Sequence, residues 1–356
     1  MIELAEVLAR HWPAYEQKFR ERILPSHRAA VRAIRACRTP QLGGQSYRCS
    51  ACGHRHYAYH SCGHRACPKC GGRDAADWTA RQQTRLLPGV PYFLVTFTVP
   101  AELRALIRSH QKDLYGLLFR ESAATLQEVA AQPKHLGAEL GMLGVLHSWS
   151  RQLVFHPHVH YVVAGAGLSA NGLRWQRVAS PEFFLPEKVL ARRFRNRLRA
   201  ALAERWPELL ARLPAKIWRA DWVVDCLAVG SGEAALRYLS AYVYKTALGS
   251  QRILADDGTR IQFRYRDSET GQSKTLTLAA EEFLRRFLQH VLPAGFQRVR
   301  YYGWLAAAAK QRWARILALL DWKRPAPPQP TPLPPPECPR CHQPMALVER
   351  LPRAPP

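Results

Sequence analysis

The chain has 356 residues, with 52 Lys and Arg against 27 Asp and Glu and a formal net charge of +25. Such a surplus repels itself unless a polyanion is the working companion, and counterion release then rewards nucleic-acid binding. No stretch reaches the roughly 18 uninterrupted apolar residues needed to span a bilayer, and residues 1–30 carry charges throughout where a signal peptide would be apolar, so the expectation is a cytoplasmic protein with no membrane partner.

Residues 1 to about 36 place Leu4, Val7, Leu8, Trp12, Tyr15 and Phe19 at helical spacing, with Pro25 separating two helices. From Cys37 to about Gly72 the chain is rich in Cys, His and Gly, which predicts short hairpins organised around metal. Six of the nine cysteines fall here, and in a reducing compartment such crowding points to zinc before disulfides. Cys49-Ser-Ala-Cys52 and Cys67-Pro-Lys-Cys70 are two C-x2-C knuckles fourteen residues apart. That spacing predicts one four-thiolate zinc site made of Cys49, Cys52, Cys67 and Cys70. Cys37 and Cys62 remain as partners for a second zinc, with His54, His56, His60 and His64 nearby and no choice among them.

Tyr92 to Val99 is aromatic and β-branched enough for a buried strand, and Pro100 ends it before a helical run over 101–131. Strands follow near 141–147 and 158–164. Residues 186–213 read as one long basic amphipathic helix whose Arg192, Arg193, Arg195, Arg197 and Arg199 would grip a DNA backbone. A strand over 222–227 precedes a helix over 231–247 with a Ser cap. Strands at 251–254, 260–266 and 273–278, a helix at 279–290 and a strand at 298–302 complete an α+β pattern. Beyond Lys323, Pro325 to Pro336 is an extended spacer delivering Cys338 and Cys341, which with His342 make half a metal site. The expected division is a helical and zinc-binding, DNA-binding unit over 1–90, a catalytic unit over 91–310, and a basic helix, proline linker and terminal C-x2-C over 311–356.

Two motifs carry chemistry. In His156-Pro157-His158-Val159-His160 the three histidines share one face of a strand while Val159 and Tyr161 face the other way. His158 and His160 are the expected ligands of a catalytic divalent ion, Mg²⁺ or Mn²⁺. His156, Gln152 or a residue of another element would supply the third ligand. Tyr238 and Tyr242 stand four apart and stack on one helix face, and Lys245 stays on that side as a phosphate contact. A phenol with a pKa of about 10 is a poor nucleophile unless a metal or cation absorbs the developing charge. The histidine strand and the tyrosine helix therefore belong to one expected site.

These residues resemble the HUH superfamily of single-strand nucleases, and in particular the rolling-circle insertion-sequence transposases of the IS ninety-one group. The resemblance covers most of the chain. It runs through Tyr47-Arg-Cys49 and Cys67-Pro-Lys-Cys70, the histidine strand followed by Gly165-Ala-Gly167, Tyr238-Leu-Ser-Ala-Tyr242, Phe263 to Asp267, Glu282 to Pro293, and Arg300-Tyr-Tyr-Gly303. It implies a palm-like antiparallel sheet with the histidines on a central strand and the tyrosines on a neighbouring helix. It also implies that a tyrosine attacks a DNA phosphate at a single-stranded element end, leaving a 5′-phosphotyrosine and a free 3′-hydroxyl, and that the step reverses on another end in a bacterial transposition. A plasmid replication initiator or relaxase would use the same chemistry, and a non-catalytic zinc-ribbon DNA-binding protein would share only the first module.

Overall fold

A computed structural model of the chain describes residues 2–244, 246–267, 269–329 and 334–354, apart from the side chain of Arg73. In chain order the elements are α1 (Leu4–Phe19), α2 (Pro25–Ala36), β1 (Gly44–Cys49), β2 (Arg55–Tyr59), α3 (Gly72–Gln83), β3 (Tyr92–Thr98), α4 (Leu103–Ser109), α5 (Gln111–Ala130), β4 (Ala138–Trp149), β5 (Phe155–Ser169) and β6 (Trp175–Arg177). They continue with α6 (Glu187–Arg205), α7 (Pro207–Ala211), β7 (Val224–Ala228), α8 (Glu233–Tyr244), β8 (Ile253–Asp256), β9 (Arg260–Arg266), β10 (Ser273–Ala279), α9 (Ala280–Leu288), β11 (Val299–Gly303), α10 (Lys310–Leu319) and β12 (Met345–Leu351).

The main sheet is open and antiparallel, in the order β11-β4-β5-β3-β7, with β6 paired to the far end of β5. Two smaller antiparallel sheets, β12-β1-β2 and β10-β9-β8, flank it. The fold is thus mixed α+β, with the crowded cysteines forming a small zinc-binding subdomain at the N-terminal end. Among the described residues no helix is long and apolar enough to cross a membrane.

Strand alternation decides what covers each face. Phe93, Val95, Phe97, Val159, Tyr161, Val163, Met142 and Leu146 point one way, into a core closed by α4, α5 and α6. Leu94, Leu143, Val145, Val162 and Ala164 point the other way, against Trp78 of α3, Ala235, Leu236 and Leu239 of α8, and Ile316 of α10. A third core joins α1 and α2 to β8, β9 and α9, and takes in Cys37, Cys67, Trp149 and Leu153. Both faces of β3, β4 and β5 are therefore buried, which explains their near-continuous apolar sequences.

The helix expected over 186–213 breaks into α6 and α7 at Trp206, whose φ of −145° and ψ of 62° leave the helical region just before Pro207. The run over 101–131 divides at His110, where φ −126° and ψ 45° separate α4 from α5. The short helix α3, absent from the sequence reading, starts from left-handed Gly71 at φ 85°.

Candidate metal and tyrosine centre

Beyond Val145 and Val162 the α8-facing surface of the sheet changes from apolar side chains to imidazoles. His158 and His160 occupy that face of β5, and the β4–β5 register puts His147 directly opposite His158 and Val145 opposite His160. All three rings are buried, and each can offer a nitrogen within 4.8 Å of the others. The His158 Nδ1–H donates to the His156 carbonyl at 2.7 Å, which leaves its Nε2 as the lone-pair nitrogen, 2.9 Å from His147 Nδ1. His160 Nδ1 meets Thr96 Oγ1 at 2.9 Å, while the Nε2 atoms of His147 and His160 are buried without a hydrogen-bond partner.

Unpartnered buried nitrogens beside a ring fixed through its other nitrogen are what a metal-binding histidine set needs. Burial holds His158 down to about 3 and His160 down to about 4, and it holds His147 well below the usual imidazole range. All three are therefore neutral and have lone pairs available at neutral pH. His156 differs from its expected role, because its half-buried ring lies outside this triad and it takes part through its carbonyl. Gln152 sits exposed in the β4–β5 turn. His147 was the residue missed; a lone histidine closing an otherwise apolar strand was the available signal, but only the register shows that it meets the other two.

α8 crosses the same face because Ala235, Leu236 and Leu239 seat on the apolar half of the sheet. The adjoining helix stripe then carries Tyr238 and Tyr242 over the imidazoles. Both tyrosine rings lie 6.0 Å from that of His160, and Tyr242 also packs 4.1 Å from His147. The Tyr242 hydroxyl donates to that of Tyr238 at 2.8 Å. Tyr238 is 45% exposed, whereas burial, followed by the hydrogen bond to Tyr238, pushes the half-buried Tyr242 phenol up despite the nearby Arg151 charge. Lys245 lies outside the described residues. The end of α8 is anchored by Arg298, whose buried guanidinium donates to the carbonyls of Tyr242 (2.7 Å) and Val243 (3.1 Å) and lies over Trp149.

The basic helix α6 lies on the opposite face of the sheet from the histidines, with Phe194, Leu198 and Leu202 in the core. Its Arg193 and Arg197 pair with Glu128 and Glu121 of α5, so they hold two helices together, while Arg192 and Arg199 remain exposed.

The cysteines assemble differently from the expected Cys49, Cys52, Cys67, Cys70 quartet. One tetrad is Cys37, Cys62, Cys67 and Cys70, and the other is Cys49, Cys52, Cys338 and Cys341. The physical reason is the β1–β2 hairpin, which carries the first knuckle at its tip away from α2 and the second knuckle, while the end of α2 brings Cys37 to within 3.5 Å of Cys70. In the first tetrad Cys62 and Cys70 sulfurs stand 3.6 Å apart, and backbone amides of Cys62 and His64 donate to Cys37 and Cys62 sulfurs. Tetrahedral thiolates around zinc at about 2.3 Å would have sulfurs roughly 3.8 Å apart, so the tetrad fits a structural zinc site. The Cys67 thiol, donating to Cys62, holds Cys62 down to about 5 and is itself pushed up, while burial pushes Cys37 up to about 11. Four thiolates together would require a dication.

A family model described as "Putative transposase" matches residues 141–312, and one described as "Transposase zinc-binding domain" matches residues 7–99. The chain is 37% identical over 347 residues to "Putative transposase y4qJ" of Sinorhizobium fredii (strain NBRC 101917 / NGR234), covering 91% of this chain and 86% of that protein. It is 30% identical over 298 residues to "Transposase for insertion sequence element IS801" of Pseudomonas savastanoi pv. phaseolicola, covering 78% and 69% respectively. No solved structure matches the chain. With its cysteine subdomain at the N-terminal end and the 141–312 match spanning the histidine strand and the tyrosine helix, the chain belongs to the IS91/IS801-like transposases that carry an N-terminal zinc-binding domain.

Proposed function

We propose that this transposase cleaves single-stranded DNA at element ends and transfers the strand through 5′-phosphotyrosine intermediates, as an HUH-type enzyme of the cytoplasm. The observation that carries the reading is the pair of phenols, hydroxyls 2.8 Å apart, suspended over three buried neutral imidazoles. His147, His158 and His160 would hold a divalent ion. When bound, it would polarise the scissile phosphate and offset charge developing on the attacking oxygen. An all-imidazole set suits a first-row transition ion better than Mg²⁺, which prefers oxygen ligands and retained waters.

The chain's own residues supply the remainder. Tyr238, exposed and accepting a hydrogen bond from the Tyr242 hydroxyl, is placed to attack first. The Tyr238 hydroxyl gives up its proton and its oxygen bonds to phosphorus as the 3′-oxygen of the preceding nucleotide leaves; that oxygen takes up one proton, so the step is proton-neutral overall. Tyr242 serves the second transfer, and Arg151, whose charge reaches Tyr242, offers a cation for the phosphate. Residues 1–90 would grip DNA, 91–310 would carry the chemistry, and Lys245 would contact phosphate.

The test is a denaturing-gel assay for a covalent protein–DNA adduct on single-stranded element ends with Mn²⁺ or Mg²⁺, comparing wild type with Tyr238→Phe, Tyr242→Phe and the double variant. The expected result is an adduct that disappears in the double variant, under chelation, and in His147→Ala. An adduct that survives the double variant would refute the tyrosine chemistry, and cognate DNA binding with no adduct at all would favour a non-catalytic zinc-ribbon protein.

A further inference from the structure

We infer that Cys49, Cys52, Cys338 and Cys341 form a second zinc site, separate from the Cys37, Cys62, Cys67, Cys70 site, which clamps the C-terminal strand of the chain onto its N-terminal hairpin. The two matched family segments end at residues 99 and 312, so half of this ligand set lies beyond both.

The four sulfurs converge from positions almost three hundred residues apart. Cys49 and Cys341 sulfurs lie 3.4 Å apart, Cys52 and Cys338 3.5 Å, and Cys341 and Cys52 3.5 Å. The two knuckles are built alike. Cys49 N–H donates to His54 O at 2.9 Å and Gly53 N–H to Cys49 O at 3.0 Å; Cys338 N–H donates to Gln343 O at 2.9 Å and His342 N–H to Cys338 O at 2.9 Å. In each, the residue after the second cysteine is left-handed: Gly53 at φ 71° and His342 at φ 59°. The same turn also aims backbone amides at sulfur, those of Ala51 and Cys52 at Cys49 and those of Arg340 and Cys341 at Cys338. A histidine held at positive φ carries a backbone cost that glycine avoids, and a metal-bound turn offsets it.

Apolar packing does not account for the convergence. The cluster at this end consists of Cys49, Cys338 and Met345, with Tyr47 and Cys341 against it. β12 pairs along β1 from Cys49↔Met345 to Gly44↔Leu351, yet its five central residues, Ala346 to Arg350, are exposed. A strand with so little buried surface needs another source of stability, and metal ligation supplies binding energy as folding energy. The donor set is four thiolates with no imidazole or oxygen, which selects zinc among common divalent ions. The ion would thus close the chain into a ring from residue 49 to residue 338 and make β12 the third strand of the ribbon.

The experiment is a zinc count on the full-length protein by native mass spectrometry and by elemental analysis. Two zinc ions per wild-type chain are expected, one in Cys338→Ser/Cys341→Ser, and two in Cys226→Ser, whose thiol lies outside both tetrads. Hydrogen exchange should show the amides of Met345–Leu351 losing protection in the double variant while those of β5 keep theirs. A single zinc in the wild type would overturn the inference, as would two zincs in the double variant or disulfides among these four cysteines. The wild-type count needs no variant to fold. Unchanged protection of β12 after loss of the second zinc would overturn the clamp.

Discussion

Arg298 offers a direct test of how the tyrosine helix is held. Its guanidinium is buried, has no carboxylate partner among the described residues, and hydrogen-bonds the carbonyls of Tyr242 and Val243 at the last turn of α8, where the helix dipole is negative. Burial lowers its pKa to about 10, so it is still charged at neutral pH. Arg298→Ala removes two hydrogen bonds involving a charge, about 1.5–3 kcal/mol each, and leaves two carbonyls unpaired. The guanidinium's own desolvation penalty disappears with it. The difference gives about 2–4 kcal/mol of destabilisation. Arg298→Lys keeps the charge but one ammonium cannot reproduce the fork or lie flat over Trp149, so roughly half that loss is expected. Urea unfolding gives the stability, and the adduct assay run on folded protein gives the effect on Tyr238 and Tyr242. Adduct formation should fall with the urea midpoint, because the anchored carbonyls include that of Tyr242 itself. A midpoint and adduct yield equal to wild type in Arg298→Ala would refute the reasoning.

Burial holds His27 down to about 4 and His290 down to about 3, so both are neutral in the folded chain while the unfolded chain takes up protons near pH 6.5. Their stability contribution is complete above that pH and is lost as pH falls towards 4, with a slope of about 1.4 kcal/mol per pH unit for each histidine; urea titrations at stepped pH should show it, and His27→Gln should flatten it. Gly303 stands at φ 59° with its missing Cβ position overlapping the Leu140 carbonyl, so Gly303→Ala should unpair the start of β4 from β11 and cost more than about 3 kcal/mol, read as a lowered Tm or loss of soluble protein. Tyr161, fully buried on the far face of β5, hydrogen-bonds Ser122 at 2.7 Å and donates to the Phe119 carbonyl at 3.1 Å; Tyr161→Phe should cost about 1–2 kcal/mol and leave the adduct yield per folded molecule unchanged, whereas Tyr238→Phe should do the reverse.

Whatever depends on local periodicity, or on chemistry within a few residues, is legible along the chain. Helical spacing of Leu4, Val7, Leu8 and Trp12 was sufficient for α1, and the aromatic, β-branched run at Tyr92 for β3. His158 and His160 share a face because strand side chains alternate. Tyr238 and Tyr242 share one because helices repeat every 3.6 residues. The proline at 207 also ends α6 for a local reason, because it disfavours helical geometry at Trp206.

What joins distant segments was decided only in three dimensions. His147 meets His158 through an antiparallel register set by the packing of whole strands. The partners of each cysteine knuckle likewise depend on which loops the hairpin, α2 and β12 bring together, and spacing along the chain favoured the wrong quartet because a C-x2-C knuckle supplies two ligands without specifying the other two. Arg298 was invisible for the same reason: a buried arginine is unfavourable on its own, and only the exposed carbonyls at the end of α8 make its position intelligible.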